Sequence, residues 1–176
     1  MKPVPIWVMT RLTLREAVRR KIVLGAMLLG LVFLVVYGLG LHFIHRELVR
    51  EGETQNPLVS AQIFNFLLLS GLYVVNFLFA AMAVLSSVDT LAGEIASGTV
   101  QALAAKPVRR WEIVLGKWLG LAIMLGAYLL LMAGGVILLA GWITGYQAAH
   151  VGRSLGLIWL NGMLLLHVSL LGGTRL

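Results

Sequence analysis

Residues Ile22–Ile44 read IVLGAMLLGLVFLVVYGLGLHFI, 23 positions without an Asp, Glu, Lys or Arg. As a helix rising about 1.5 Å per residue, the run is about 34 Å long, enough to cross the hydrocarbon core of a bilayer. Arg11, Arg15, Arg19, Arg20 and Lys21 precede it, a basic flank of the kind retained on the cytoplasmic side. The bulk composition agrees. Hydrophobic residues make up 60% of the 176 positions and charged residues 12%, about half the usual globular share, and the mean hydropathy is +0.94. A soluble domain of this length could not cover so much apolar surface, which places the chain among membrane proteins.

Three more charge-free runs follow, at 62–88, 118–146 and 155–173. The fold expected is all-α, a polytopic helical bundle forming one transmembrane domain over 1–176, with membrane spans at 22–44, 62–88, 118–146 and 155–173. Asn56-Pro57 is a turn or helix-start signal before the second span. The helical spacing of the charges from Arg46 to Glu51 continues the first helix beyond the membrane. Residues 1–21 read as an amphipathic helix lying in the interface, beginning near Ile6 because Pro3 and Pro5 discourage helix before it. Arg11, Arg15 and Arg19 form a cationic stripe at i, i+4 and i+8, while Trp7, Leu14 and Val18 form a neighbouring apolar face. Residues 89–117 are the one long polar interruption of the second half. All Lys and Arg other than Arg46, Arg50 and Arg153 fall in the N-terminal tail, in 89–117 or at the C-terminal end. By the positive-inside rule these parts are cytoplasmic, both termini included.

The net charge of +7 does not point to nucleic acid, because the basic residues cluster beside the apolar runs, where a lipid bilayer is their partner. The absence of cysteine excludes disulfides, thiolate metal sites and cysteine nucleophiles. Gly116-Lys117 matches the last pair of a phosphate loop, but Trp111 stands where glycine is needed and Trp118 where Ser or Thr is needed. The chain is therefore not expected to bind ATP itself. His42, His45 and Glu47 lie close in sequence without an evident third ligand element, so no metal site is assigned. A Ser-His-Asp hydrolase is unsupported, since Asp89 and Glu94 lie on the opposite side from most histidines. The polar residues within spans are Asn65 and Asn76, which share a helix face, and Asn161 and His167. They are candidate pathway lining, or polar glue between helices. The glycine pairs Gly116/Gly120 and Gly141/Gly145 have the small-xxx-small spacing that lets helices approach closely.

The stretch GEIASGTVQALAAKPVRRWEIVLGKWLG, from Gly93 to Gly120, resembles the segment between the second and third membrane helices of type-2 ATP-binding-cassette (ABC) transporter permeases. The features that carry the likeness are Glu94, Gly98-Thr99, the apolar run 100–105, Pro107, Arg109-Arg110 and Gly116-Lys117. The N-terminal TLREAVRRKIVLG, from Thr13 to Gly25, is similar to that family's basic interfacial helix turning into the first span. Family permeases have six spans and this chain supplies four, so a reading frame that continues into two more helices is expected.

The resemblance implies a division of labour. A separate cytoplasmic ATPase subunit holds ATP and Mg, no cofactor belongs to this chain, and a second permease copy or a related permease completes the pathway. A short cytoplasmic coupling helix within 89–117 docks on the ATPase. The residues suit that role: Gly93 and Gly98 permit a bend, Thr99 can cap the helix, Val100 and Leu103 give it an apolar stripe, and Pro107 stops it. Glu94 pairs with Arg109 or Arg110, or with an arginine of the ATPase. The function implied is an ATP-driven exporter permease in a prokaryotic inner or plasma membrane. The competing readings are a non-transport four-helix scaffold or assembly protein, an intramembrane enzyme and a channel. The last two lack, respectively, a cluster of ionisable residues at one depth and a charged ring within the spans.

Overall fold

A computed structural model describes residues 6–19, 21–52, 56–96, 110–146 and 151–173. Among them the chain forms five helices and no strand: α1 (Ile6–Arg19), α2 (Lys21–Arg50), α3 (Pro57–Ala96), α4 (Arg110–Thr144) and α5 (Val151–Gly173). Lipid offers no water to bond backbone N–H and C=O groups, so each crossing segment must satisfy its own, and a helix does so. Helices α2 to α5 are each long and apolar enough to cross a membrane. The protein is an integral, multi-pass helical bundle.

The helix ends follow local chemistry. Asn56 caps α3, its Oδ1 accepting from the Leu58 amide at 3.2 Å, and Pro57 takes the first helical position, where its missing N–H costs nothing. Helix α2 runs through Arg46 and Glu47 to Arg50, then ends in a turn where Gly52 has φ 75°. Helix α4 ends at Gly145, φ 68°, whose amide reaches the Gly141 carbonyl at 3.0 Å. This is a left-handed cap that a side chain would strain.

The helices outrun the charge-free runs. Helix α3 has 40 residues, about 60 Å, against about 40–45 Å for a bilayer with its headgroup regions. It passes through Gly93, a residue expected to weaken it, and takes in the first part of the polar segment up to Ala96. One glycine costs a helix only about 1 kcal/mol, which a long helix absorbs. Helix α4 likewise begins at Arg110, well before Trp118.

Helix α4 is the hub. Of its apolar window 50% is buried, against 11% for α2 and α5, and it packs on each of the other four helices. Its inward residues Leu121, Leu125, Met132, Ala133 and Val136 are fully buried. Contacts form where a bulky side chain meets a glycine. Met132 of α4 lies over Gly30 of α2, Leu34 of α2 over Gly135 of α4, Tyr37 of α2 over Gly71 of α3, Phe79 of α3 over Gly162 of α5, and Trp159 of α5 over Gly126 of α4. Two of these seats carry a hydrogen bond as well. Tyr37 donates to the Leu67 carbonyl at 3.2 Å, and Tyr128, beside Met132 on Gly30, donates to the Ala26 carbonyl at 3.4 Å.

Helix α1 is docked to the bundle. Thr10 is 4% exposed. The Thr13 Cβ stands 2.8 Å from where a Cβ on Gly120 would be, and the Thr10 carbonyl 3.3 Å from it. Gly116, one turn earlier, is buried too. Gly120 is thus the seat of α1. The second pair is not a seat: Gly141 meets only the Tyr146 carbonyl at 3.8 Å and Gly145 meets nothing. Arg11 and Arg15 are exposed, as is Trp7, so the face that docks is Thr10-Thr13-Leu14 while these two arginines and the tryptophan stay outside the contact. Arg19 closes α1.

Replacing Gly120 by Leu should overpack the α1 seat and lower stability by about 1–3 kcal/mol. Replacing Gly134 by Ala, where no atom lies within 4 Å, should change stability by less than about 0.5 kcal/mol. Thermal unfolding of the two variants in the same detergent decides whether the glycine seat or glycine content matters.

Candidate functional site

Polar side chains inside a membrane bundle must find partners or water, because lipid supplies neither. Four of them gather between α3 and α5. Tyr73 and Asn76 are one turn apart on α3, and Ser154 and Asn161 two turns apart on α5. They line an open groove of about 450 Å³ with Leu69, Leu72, Leu157 and Ile158. Asn161 Nδ2 donates to Asn76 Oδ1 at 3.1 Å, joining the helices across 85 residues of sequence. Asn161 is the middle residue of the α5 span Val151–Leu171, and Tyr73 stands at the middle of the α3 span Leu58–Ser87. The amide pair therefore falls near the middle of both apolar spans, and Ser154 about 10 Å along α5 toward its start.

The groove has a closed and an open end. Just beyond Asn161, Gly162 receives the ring of Phe79, which stacks on Trp159 with centroids 6.3 Å apart. Here the two helices touch. Toward Leu69 and Ser154 they leave space, and Tyr73 and Leu157 are 76% and 71% exposed. Among the described residues no lining residue carries a charge at neutral pH. The pair's geometry fixes what it can offer. Whichever way the two amides are oriented, the acceptor of the bond keeps both of its N–H donors and the donor keeps its whole carbonyl oxygen. The groove thus presents a donor and an acceptor side by side.

Of the candidate lining residues, Asn76 and Asn161 are brought together, and Asn65 and His167 are not part of the groove. Asn65 is exposed, three turns along α3 from Asn76. His167 is six residues, or about 240° around the helix, from Asn161. Its Nδ1 meets the Met163 carbonyl at 2.6 Å and its ring lies 5.5 Å from Trp118. Reasoning from sequence missed Tyr73 and Ser154. Their signal was periodicity, since Tyr73 is i−3 from Asn76 and Ser154 i−7 from Asn161, positions on the same faces. Near the end of α2, His45 packs on Phe64 with centroids 5.7 Å apart. No group of three or more potential metal ligands occurs among the described residues.

The candidate coupling residues Gly98, Thr99, Val100 and Leu103 lie outside the described residues, as does Arg109. Glu94 falls within α3 and Arg110 opens α4, so the segment between them joins the two longest helices.

A family model described as ABC-2 family transporter protein matches residues 7–172. No curated protein matches the chain.

The Asn76–Asn161 bond should be worth little to stability. In membrane bundles such bonds couple by about 0.6 kcal/mol, with a ceiling near 1.7. A double-mutant cycle with Asn76→Ala and Asn161→Ala, read by unfolding in mixed micelles, should return a coupling in that range. A coupling above about 2 kcal/mol would make the pair a structural clamp.

Proposed function

The chain belongs to the ABC-2 family of transporter proteins, and from that premise we propose that it is the permease of an ATP-driven exporter whose ATPase is a separate cytoplasmic subunit. Members of this family are membrane components of ABC transporters, not their ATPases, and associate with an ABC ATPase. The observation that carries the reading is that one family match spans residues 7–172, the same stretch that folds into a single bundle with four membrane-crossing helices. Export is the direction to which the likeness of residues 93–120 to type-2 permeases points. ATP and Mg belong on the partner, and a second copy or a related permease completes the pathway.

The mechanism we propose runs through the segment between α3 and α4. The charge distribution favours a cytoplasmic position for it and for both termini, in a prokaryotic inner or plasma membrane. Thr99 caps a short helix, Val100 and Leu103 seat it on the ATPase, Gly98 gives the chain freedom to turn, and Glu94 pairs with Arg109 or Arg110. Arg109 and Arg110, with Arg11, Arg15 and Arg19, hold the membrane surface. Closure of the ATPase would push on this segment. Helix α3 is about 60 Å long and α4 about 52 Å, from 40 and 35 residues, so displacement at one end is carried as rigid-body motion. Because α4 packs on every other helix, a shift of α4 reaches the whole bundle. Asn76 and Asn161 lie where such a shift would change the α3–α5 groove, which we assign to the transport pathway.

With the ATPase partner co-expressed, Val100→Asp or Leu103→Asp should leave membrane insertion and ATP hydrolysis in place and abolish ATP-dependent transport. Reconstitution of the purified complex in vesicles, with hydrolysis and flux measured together, is the test. Normal coupling in either variant sinks the assignment of the segment.

A further inference from the structure

We propose that the α3–α5 groove binds an uncharged amphiphile whose polar group both donates and accepts hydrogen bonds, an amide or a set of hydroxyls carried on an apolar chain. The inference rests on the groove's being part of the transport pathway, and it names what the pathway holds there.

Three observations select this class. First, none of the described lining residues is charged at neutral pH. A phosphate or an ammonium group moved to this depth would lose its hydration without a counter-charge, a cost of several kcal/mol or more. Second, the Asn76–Asn161 pair, joined at 3.1 Å, keeps an amide donor on one helix and acceptor capacity on the other. A ligand group with both functions can bridge them, whereas a pure acceptor or a pure donor satisfies only one. Third, the surroundings are apolar and open sideways. Leu157 is 71% and Leu69 55% exposed, so an apolar chain can lie along the helices in contact with lipid while its polar group is held between them.

The depth gives the site its use. A neutral polar group crossing a bilayer is least well solvated at the midplane, where each unmade hydrogen bond costs a few kcal/mol. The amide pair falls near the middle of both apolar spans, the part of each helix that corresponds to that depth. Ser154, about 10 Å from Asn161 along α5, and Tyr73, about 5 Å from Asn76 along α3, continue the polar lining toward the end at which α5 begins. The groove thus offers two successive resting places for a hydrogen-bonding headgroup.

Diazirine-tagged alkyl probes test this on the full chain in lipid nanodiscs. Four headgroups are compared: a glucoside, a carboxamide, a phosphate and a trimethylammonium. Saturable labelling of the peptides containing 69–76 and 154–161 by the glucoside or the carboxamide is expected, and the stronger of the two identifies hydroxyl or amide recognition. The double variant Asn76→Leu/Asn161→Leu should raise the half-saturating concentration at least about tenfold. Leu157→Trp, which fills the groove and leaves the amide bond alone, should weaken labelling likewise, with its melting temperature reporting that it is folded. Equal saturable labelling by a charged probe, or undiminished labelling of the double variant, overturns the proposal. The chain has no cysteine, so Tyr73→Cys is a clean reporter of the rival occupant: disulfide-linked dimers in vesicles, with no saturable labelling, would give the groove to a second copy. Labelling needs no ATPase. Its absence alongside ATP-dependent flux removes the ligand class alone, and its presence without any flux removes the permease reading.

Discussion

Helices in lipid gain nothing from hiding apolar surface, because the solvent is as apolar as they are. What holds this bundle is close contact, and close contact needs the absence of a side chain. Helix after helix meets its neighbour where a glycine receives a ring or a flexible chain: Gly30, Gly71, Gly126, Gly135 and Gly162 among the spans, and Gly120 for α1. Dispersion is small per atom pair and falls steeply with a gap of even half an ångström. A backbone that lies against a ring therefore contributes much more than two side-chain fringes in contact. Helix α4 supplies or receives several of these contacts, which is why it is the buried member although α2 is at least as apolar.

The same seats determine where the groove lies. Phe79 in Gly162 and Trp159 on Gly126 fix α5 to α3 and α4 at one level. The amide bond sits beside that level. Toward the surface where α5 begins, no glycine seat joins α3 to α5 among the described residues, and the helices stand apart enough to leave the cavity lined by Leu69 and Ser154. A bundle held at one level and open at another can rock about the closed level. A permease driven from the far end of α3 and α4, as proposed above, would use a motion of that kind, with the amide pair at the fulcrum.

The spans were legible because lipid imposes one rule on every residue of a crossing segment. A charge-free run such as Ile22–Ile44 suits a bilayer and little else. Asn56-Pro57 was legible because a cap acts on residues adjacent in sequence, and Arg46 to Glu51 because helical spacing does too. Tertiary partners were not legible. Gly116/Gly120 and Gly141/Gly145 are identical as patterns, yet Gly120 seats α1 while the second pair sits at a helix end, since a glycine seat exists only if something arrives in it. Asn65, Asn76, Asn161 and His167 looked equivalent as amides and imidazole within spans. Only the rotation of α3 and α5 against each other decides that the second and third meet while the others do not.

Helix α2 sharpens that difference between crossing a membrane and packing within it. It is the run that reveals the membrane protein, yet only 11% of its apolar window is buried. Its inward stripe is narrow: Val23, Gly30, Leu41 and Leu48. Along it, two tyrosine hydroxyls tie α2 to its neighbours, and each lands on the carbonyl four residues before the glycine that the tyrosine lies against: Leu67 before Gly71, and Ala26 before Gly30. The repeat has a physical reason. A glycine leaves its helix thin on one side, so a phenol can come close there and its hydroxyl reach the carbonyl one turn back, whose second lone pair the helix does not use. The phenol thereby finds a partner without interrupting the helix, which a lipid-facing segment could not tolerate. Apolar composition brings α2 into the bilayer, and two polar contacts over glycine decide which side of it faces the bundle.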